Sequence, residues 1–94
     1  SGGLVMVSPQ ESDSINSGFT LEAQSSTEFG SVSFYYSSGN TGSGTSIGTA
    51  QKISSGGGWR YVLDWDNLPS SGNWRVFARA SNGTTSTRIP VVVP

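Results

Sequence analysis

An all-β domain of two antiparallel sheets packed face to face is what this 94-residue sequence predicts, on three observations. The run Trp59 to Trp65 alternates as a strand does, so that Trp59, Tyr61, Leu63 and Trp65 share one face while Arg60, Val62 and Asp64 share the other. Three aromatics and a leucine on one face need a core to enter. Two further alternating runs, Val32 to Tyr36 and Trp74 to Ala80, supply the opposite wall, which makes a two-layer β-sandwich the simplest arrangement. No helical period of useful length appears anywhere, and turn residues recur at the short spacing of strands.

In chain order, Ser1, Gly2 and Gly3 read as a linker or expression remnant, and residues 4–94 as one domain. Leu4 to Val7 is a short apolar run stopped by Ser8 and Pro9, as suits an edge strand. Gln10 to Gly18 is polar and reads as a loop. Phe19, Leu21 and Ala23 alternate with Thr20, Glu22 and Gln24 in the second strand, and Ser25 to Gly30 turns the chain. Val32, Phe34 and Tyr36 point inward from the third strand, with Ser33 and Tyr35 outward. Ser37 to Ser46 contains no apolar residue, so ordering it costs more entropy than burial returns, and it is expected to be a mobile connection.

Ile47 to Ile53 is a weaker strand in which Ile47 packs and Gly48 allows a close approach. Ser54 to Gly58 is a loop whose three glycines feed the aromatic strand. Asp66 to Gly72 is a corner between sheets plugged by Leu68. Trp74, Val76, Ala78 and Ala80 then point inward, with Arg75, Phe77 and Arg79 outward; the small alanines leave room for bulky aromatics across the gap. Asn82-Gly83 is the clearest hairpin signal, because both residues accept φ > 0. It explains Asn82-Gly83-Thr84 without invoking the glycosylation acceptor that the tripeptide also matches. The last strand runs from about Thr85 to Val93, with Pro90 marking an edge position or a bulge. About seven short strands spaced roughly 8 to 12 residues apart describe an immunoglobulin-like sandwich.

The run Val32-Ser33-Phe34-Tyr35-Tyr36, then Ile47-Gly48-Thr49-Ala50, Trp65-Asp66, Leu68-Pro69, Gly72 and Val76, Ala78 and Ala80, resembles bacterial immunoglobulin-like (Big-type) repeats. The similarity covers Val32 to Val93. Fibronectin type III domains share the Leu-Pro and Val-x-Ala portion and are the nearest competitor. The resemblance implies a non-catalytic spacer or interaction module of a larger bacterial surface or secreted protein. The implied partners are neighbouring domains of the same chain or another surface protein. The Ser37 to Ser46 insertion departs from the family, which usually has a tight turn there.

Composition narrows the function classes. A chain of this length buries roughly 60 to 65% of its unfolded surface, so the core must be efficient. Only 12% of residues are charged, and polarity comes instead from Ser, Thr, Asn and Gly, which leans toward a secreted or cell-surface setting. A formal net charge of −1 offers no overall basic field, so nucleic acid is not expected as a partner. No run approaches the ~18 apolar residues of a membrane span, so no membrane insertion is expected, and no signal peptide is visible. The sequence has no Cys and no His. Their absence excludes a disulfide framework, Ser-His-Asp and Cys-His nucleophiles, and most zinc sites, and no cofactor is expected.

What chemistry remains lies with carboxylates and aromatics. Asp64 and Asp66 share an outward face if their strand continues, a spacing open to a carboxylate pair but met as simply by a solvated strand end. With Asn67 they are weak calcium candidates, as are Glu11 and Asp13, but neither loop has the dense Asp/Asn/Gly spacing of a dedicated site. The sharper expectation is an outward patch. If the strands carrying them are neighbours, Tyr35 and Phe77 emerge together, flanked by Arg75 and Arg79, which can stack on the rings. That patch suits cross-strand packing, docking of a neighbouring domain, or a sugar ring. A small carbohydrate-binding β-sandwich attached to a polysaccharide-active enzyme is therefore the alternative function. Trp59, Trp65 and Trp74 are read as core, with Trp59, at the strand entrance, the one most open to a ligand.

Overall fold

Two sheets make up the computed structural model, which describes residues 3–39, 42 and 44–94. The strands of the described residues are β1 (Val5–Ser8), β2 (Asp13–Ser14), β3 (Phe19–Ser25), β4 (Val32–Ser37), β5 (Thr45–Thr49), β6 (Gln51–Ser55), β7 (Gly58–Trp65), β8 (Gly72–Ala80) and β9 (Ile89–Val93). One sheet is ordered β1-β3-β7-β6 and the other β2-β9-β8-β4-β5. No helix occurs among the described residues. Neighbouring strands pair antiparallel, apart from the two-residue β2, which lies parallel to β9. The architecture is the immunoglobulin-like sandwich that the alternation predicts.

The inward positions of β7 fill the gap. Tyr61 and Trp65 are each 1% exposed, while Trp59 and Leu63 are half-buried. Facing them are Val32 and Phe34 of β4 and Val76, Ala78 and Ala80 of β8, all buried. Tyr36 tilts over Trp65 with ring centres 5.4 Å apart and meets Trp74 edge-on at 5.3 Å. Trp74 donates its indole N–H to the Ser70 carbonyl at 2.8 Å, which ties the corner after β7 to the start of β8. Leu68 packs against the core from that corner.

Five stretches differ from the sequence expectation, one of them the last strand, which begins at Ile89 rather than at Thr85, where only an isolated bridge to Arg79 forms. Gln10 to Gly18 is more than a polar loop: Ile15 within it is completely buried, and its N–H donates to the Val92 carbonyl at 2.8 Å. One apolar side chain among polar neighbours has no periodicity to reveal it. In the turn after β3, Phe29 is buried and its N–H donates to the Tyr61 hydroxyl at 2.9 Å, so the ring that fills the core also pins the turn. The single strand expected over Ile47 to Ile53 breaks at Ala50 and changes sheets, β5 pairing with β4 and β6 with β7. The expected loop Ser54 to Gly58 is a tight hairpin in which Ser55 faces Gly58, and Gly56 and Gly57 both hold positive φ, 42° and 90°.

Pro90 keeps its place in β9 because it faces Arg75 on one side and, on the other, uses only its carbonyl, which accepts from the Ser12 N–H at 2.8 Å. Asn82-Gly83 turns as expected, with Gly83 at φ 94° and the Asn82 side chain accepting from the Thr84 N–H. The expectations for Ser1 and Gly2, and the expected mobility at Asn40, Thr41 and Ser43, lie outside the described residues.

Chain direction follows from the registers. β1 begins with Val5 opposite Gln24, where β3 is ending, whereas β9 finishes with Val93 opposite Gly72, where β8 is starting. β3 starts opposite Trp65, and the corner after Trp65 leads into β8, so these two ends are opposite ends of the sandwich. The principal extents are 37 × 25 × 20 Å.

Candidate functional site

Tyr35 and Phe77 are direct neighbours across β4 and β8, as the outward patch requires, and their rings stack with centres 5.5 Å apart and planes 15° from parallel. The expectation that both emerge to solvent fails at Phe77, which is 0% exposed although its parity turns it away from the main core. Its cover comes from elsewhere in the chain. Gly44 crosses so closely that an added Cβ would lie 2.8 Å from Phe77 Cζ and 3.0 Å from the Tyr36 carbonyl oxygen. Arg88 places its guanidinium carbon 4.1 Å from the Phe77 ring centre, and Arg79 lies 4.6 Å from the Tyr35 centre and 5.5 Å from that of Phe77. Tyr35, Arg75, Arg79 and Arg88 are half-buried.

Arg88 was not among the residues the sequence pointed to, and it organises this face. It donates to Ser37 Oγ at 2.8 Å, to the Gly39 carbonyl at 3.3 Å and to the Gly42 carbonyl, so the connection after β4 is tied to the sheet by one guanidinium. A slip in register hides it. Counting from the bridge Arg79↔Thr85 sets Thr87 opposite Phe77, whereas counting from Val76↔Ile89 sets Arg88 there.

Trp59 stands at the opposite end of β7 from Trp65, half-buried, with Lys52 Nζ 5.3 Å from its ring centre. Lys52 is held in turn by Glu28 at 2.6 Å. A groove of about 510 Å³ opens here, lined by Trp59 and Arg60, the glycines 56–58 of the hairpin, and Ser25 and Ser26. Gly58 is needed for close strand approach, since a Cβ there would lie 2.9 Å from the Ser25 carbonyl oxygen.

Asp64 and Asp66 each have a separate neighbour. Asp64 accepts from the Thr20 hydroxyl at 2.9 Å, and Asp66, one residue beyond the end of β7, brings Oδ1 to 3.8 Å of where a Gly18 Cβ would stand. Both carboxylates lean toward β3. A second cleft of about 320 Å³, on the β5 side, is bordered by Asp64, Asp66 and Asn67 together with Tyr36, Ser46 and Ile47. Among the described residues no group of three or more Asp and Glu is placed to hold a metal ion. On the outer face of the four-stranded sheet, Arg60 grips Glu22 with two bonds of 3.1 and 3.0 Å. That hydrogen-bonded guanidinium, helped by the Gln24 amide, holds the Glu22 carboxyl below the usual carboxylate range.

No protein-family model matches the chain, and no curated protein matches it. Among solved structures, the fibronectin(III)-like modules of Clostridium thermocellum CbhA align over 96% of this chain and 92% of theirs, with a TM-score of 0.50 and 15% sequence identity. The fold is of the immunoglobulin-like, fibronectin III type. At that identity the likeness speaks for the fold and not for a shared site.

Proposed function

We propose that the domain is a non-catalytic spacer or interaction module, set in series within a larger extracellular or cell-surface bacterial protein and related in pattern to the Big-type repeats. The observation that carries this reading is the placement of the two chain ends at opposite ends of a sandwich 37 Å long. A module entered at one end and left at the other adds its long dimension to whatever chain contains it. The residue inventory supports the non-catalytic half: with no His or Cys, acid-base chemistry falls to carboxylates, and Asp64 is engaged by the Thr20 hydroxyl. The alternative, a carbohydrate-binding sandwich with an open aromatic platform, is disfavoured on the expected face because Phe77 is buried and Tyr35 is stacked against it.

Small-angle scattering of two copies joined by a short linker tests the series arrangement. An end-to-end module gives a maximum dimension approaching twice that of the single domain. A tandem that folds back to little more than one domain length defeats the reading. For the non-catalytic half, release of reducing ends from a polysaccharide panel, abolished by Asp64→Ala, would overturn it.

A further inference from the structure

Charge is placed unevenly on this domain. Of its five Lys and Arg residues, three, Arg75, Arg79 and Arg88, gather on the outer face of the five-stranded sheet. Arg75 and Arg79 hold outward positions on β8 either side of Phe77, and Arg88 stacks on that ring from beside it. The acids lie elsewhere. Glu22 and Asp64 take outward positions on the other sheet, Glu28 pairs with Lys52, and Asp66 sits beside Gly18. Asp13 bends back to accept from the Gln10 N–H, and Glu11 lies in the turn before β2. In a chain of formal net charge −1, strands β4, β5, β8 and β9 carry no acid, and the charged side chains they present are all arginine.

We propose that this face binds a carboxylated polysaccharide, a polyuronate, through Arg75 and Arg79; this names a partner for the interaction half of the reading above. Arginine's planar fork matches a carboxylate with two parallel hydrogen bonds. Arg79 is already restrained over Tyr35 at 4.6 Å, so less rotamer freedom is lost when a ligand arrives. Four residues along a strand set Arg75 and Arg79 roughly 13 Å apart, a span that reaches two separated charges of one polymer chain rather than one small anion. Hydroxyls stand beside Arg79: Ser33 faces it across β4 and β8, and exposed Thr49 faces Ser33. They suit a hydroxyl-rich chain. An acidic peptide would want an apolar anchor pocket, and the large apolar ring on this face, Phe77, is buried. Nucleic acid draws its affinity from many phosphate contacts, more than three arginines supply.

The test is affinity electrophoresis at low ionic strength through gels containing polygalacturonate, amylose or single-stranded oligo(dT). A protein of net negative charge is retarded by a polyanion only through a local basic surface. The expected result is retardation by polygalacturonate alone, weakened about tenfold or more in Arg75→Gln/Arg79→Gln and suppressed by salt. Arg60→Gln, on the opposite sheet, should leave it unchanged. Arg75→Gln by itself, which removes no hydrogen bond or ion pair of the described residues, should show a partial loss and guards against a folding defect in the double variant. Absence of retardation, retardation indifferent to both arginines, or equal retardation by oligo(dT) overturns the proposal. None of these outcomes bears on the dimensions of the tandem, so the spacer reading stands or falls separately.

Discussion

The gap between the sheets and the outer face of the five-stranded sheet both hold aromatic rings in contact, and they are closed in different ways. In the gap, Trp65, Tyr61 and Phe34 are covered by the opposing sheet, a consequence of alternation that two sheets must satisfy together. On the outer face, Phe77 is equally buried with no sheet above it; Gly44, Arg79 and Arg88 close over it instead. Strand parity assigns a side chain to a face, and whether that face is dry depends on what else crosses it.

Truncating each region separates them. Trp65→Ala should cost the most, about 3–5 kcal/mol, because the opposing sheet cannot collapse into the space left. Urea unfolding checks it, and a cost under about 1 kcal/mol would deny the ring its place as filling. Phe77→Ala follows at about 2–4 kcal/mol, reduced because a crossing segment relaxes more readily than a sheet. A value near zero would return Phe77 to the status of an ordinary surface ring.

Tyr61→Phe keeps the packing and removes one hydroxyl. The buried Phe29 N–H then loses its acceptor, at a cost of about 1–3 kcal/mol, and hydrogen exchange at Phe29 should quicken. An unchanged exchange rate would show the turn to be held by other means. Gly44→Ala tests the cover itself. At φ 73°, with its Cβ forced toward Phe77 and a backbone oxygen, it should lose roughly 1–2 kcal/mol, some 4–8 °C in Tm per kcal/mol for a domain this size. A neutral or stabilising effect would mean the crossing segment yields easily.

The smallest effect is expected on the other outer face, which has an ion pair where the five-stranded sheet has a covered ring. The Glu22 carboxyl is held below its ordinary value of 4.5 by Arg60. A carboxylate lowered on folding adds stability that is complete above its unfolded value and disappears as pH falls through the folded one. Glu22→Gln should therefore be less stable than the parent at pH 7 and converge with it as pH falls below the lowered value of the folded carboxyl. Parallel curves over that range would remove Glu22 from the pH response.

Much of this molecule could be read directly. Alternation in Phe19 to Ala23, Val32 to Tyr36, Trp59 to Trp65 and Trp74 to Ala80 identified the four longest strands and their inward faces, because a period of two survives whatever the strand pairs with. The neighbouring of Tyr35 and Phe77 was legible for the same reason. Ile15 and Phe29 were not, since each is a lone apolar residue in a polar stretch. The change of sheet at Ala50 was equally hidden, because Gln51 to Ser55 reads the same on either sheet.

The candidate site divides along that line. Sequence by itself determined an all-β chain, which rings face inward, that Arg75, Phe77 and Arg79 share an outward face, and that histidine and cysteine chemistry is excluded, since each of these depends on residue identity or on parity within one strand. Tertiary structure alone decided that Phe77 is covered, that Arg88 ties down the connection after β4, that Asp64 bonds Thr20 while Asp66 lies beside Gly18, and that the chain enters and leaves at opposite ends. Those outcomes depend on registers between segments far apart in sequence, such as the slip between Arg79↔Thr85 and Val76↔Ile89 beside which Arg88 lies over Phe77, and no local pattern encodes a register.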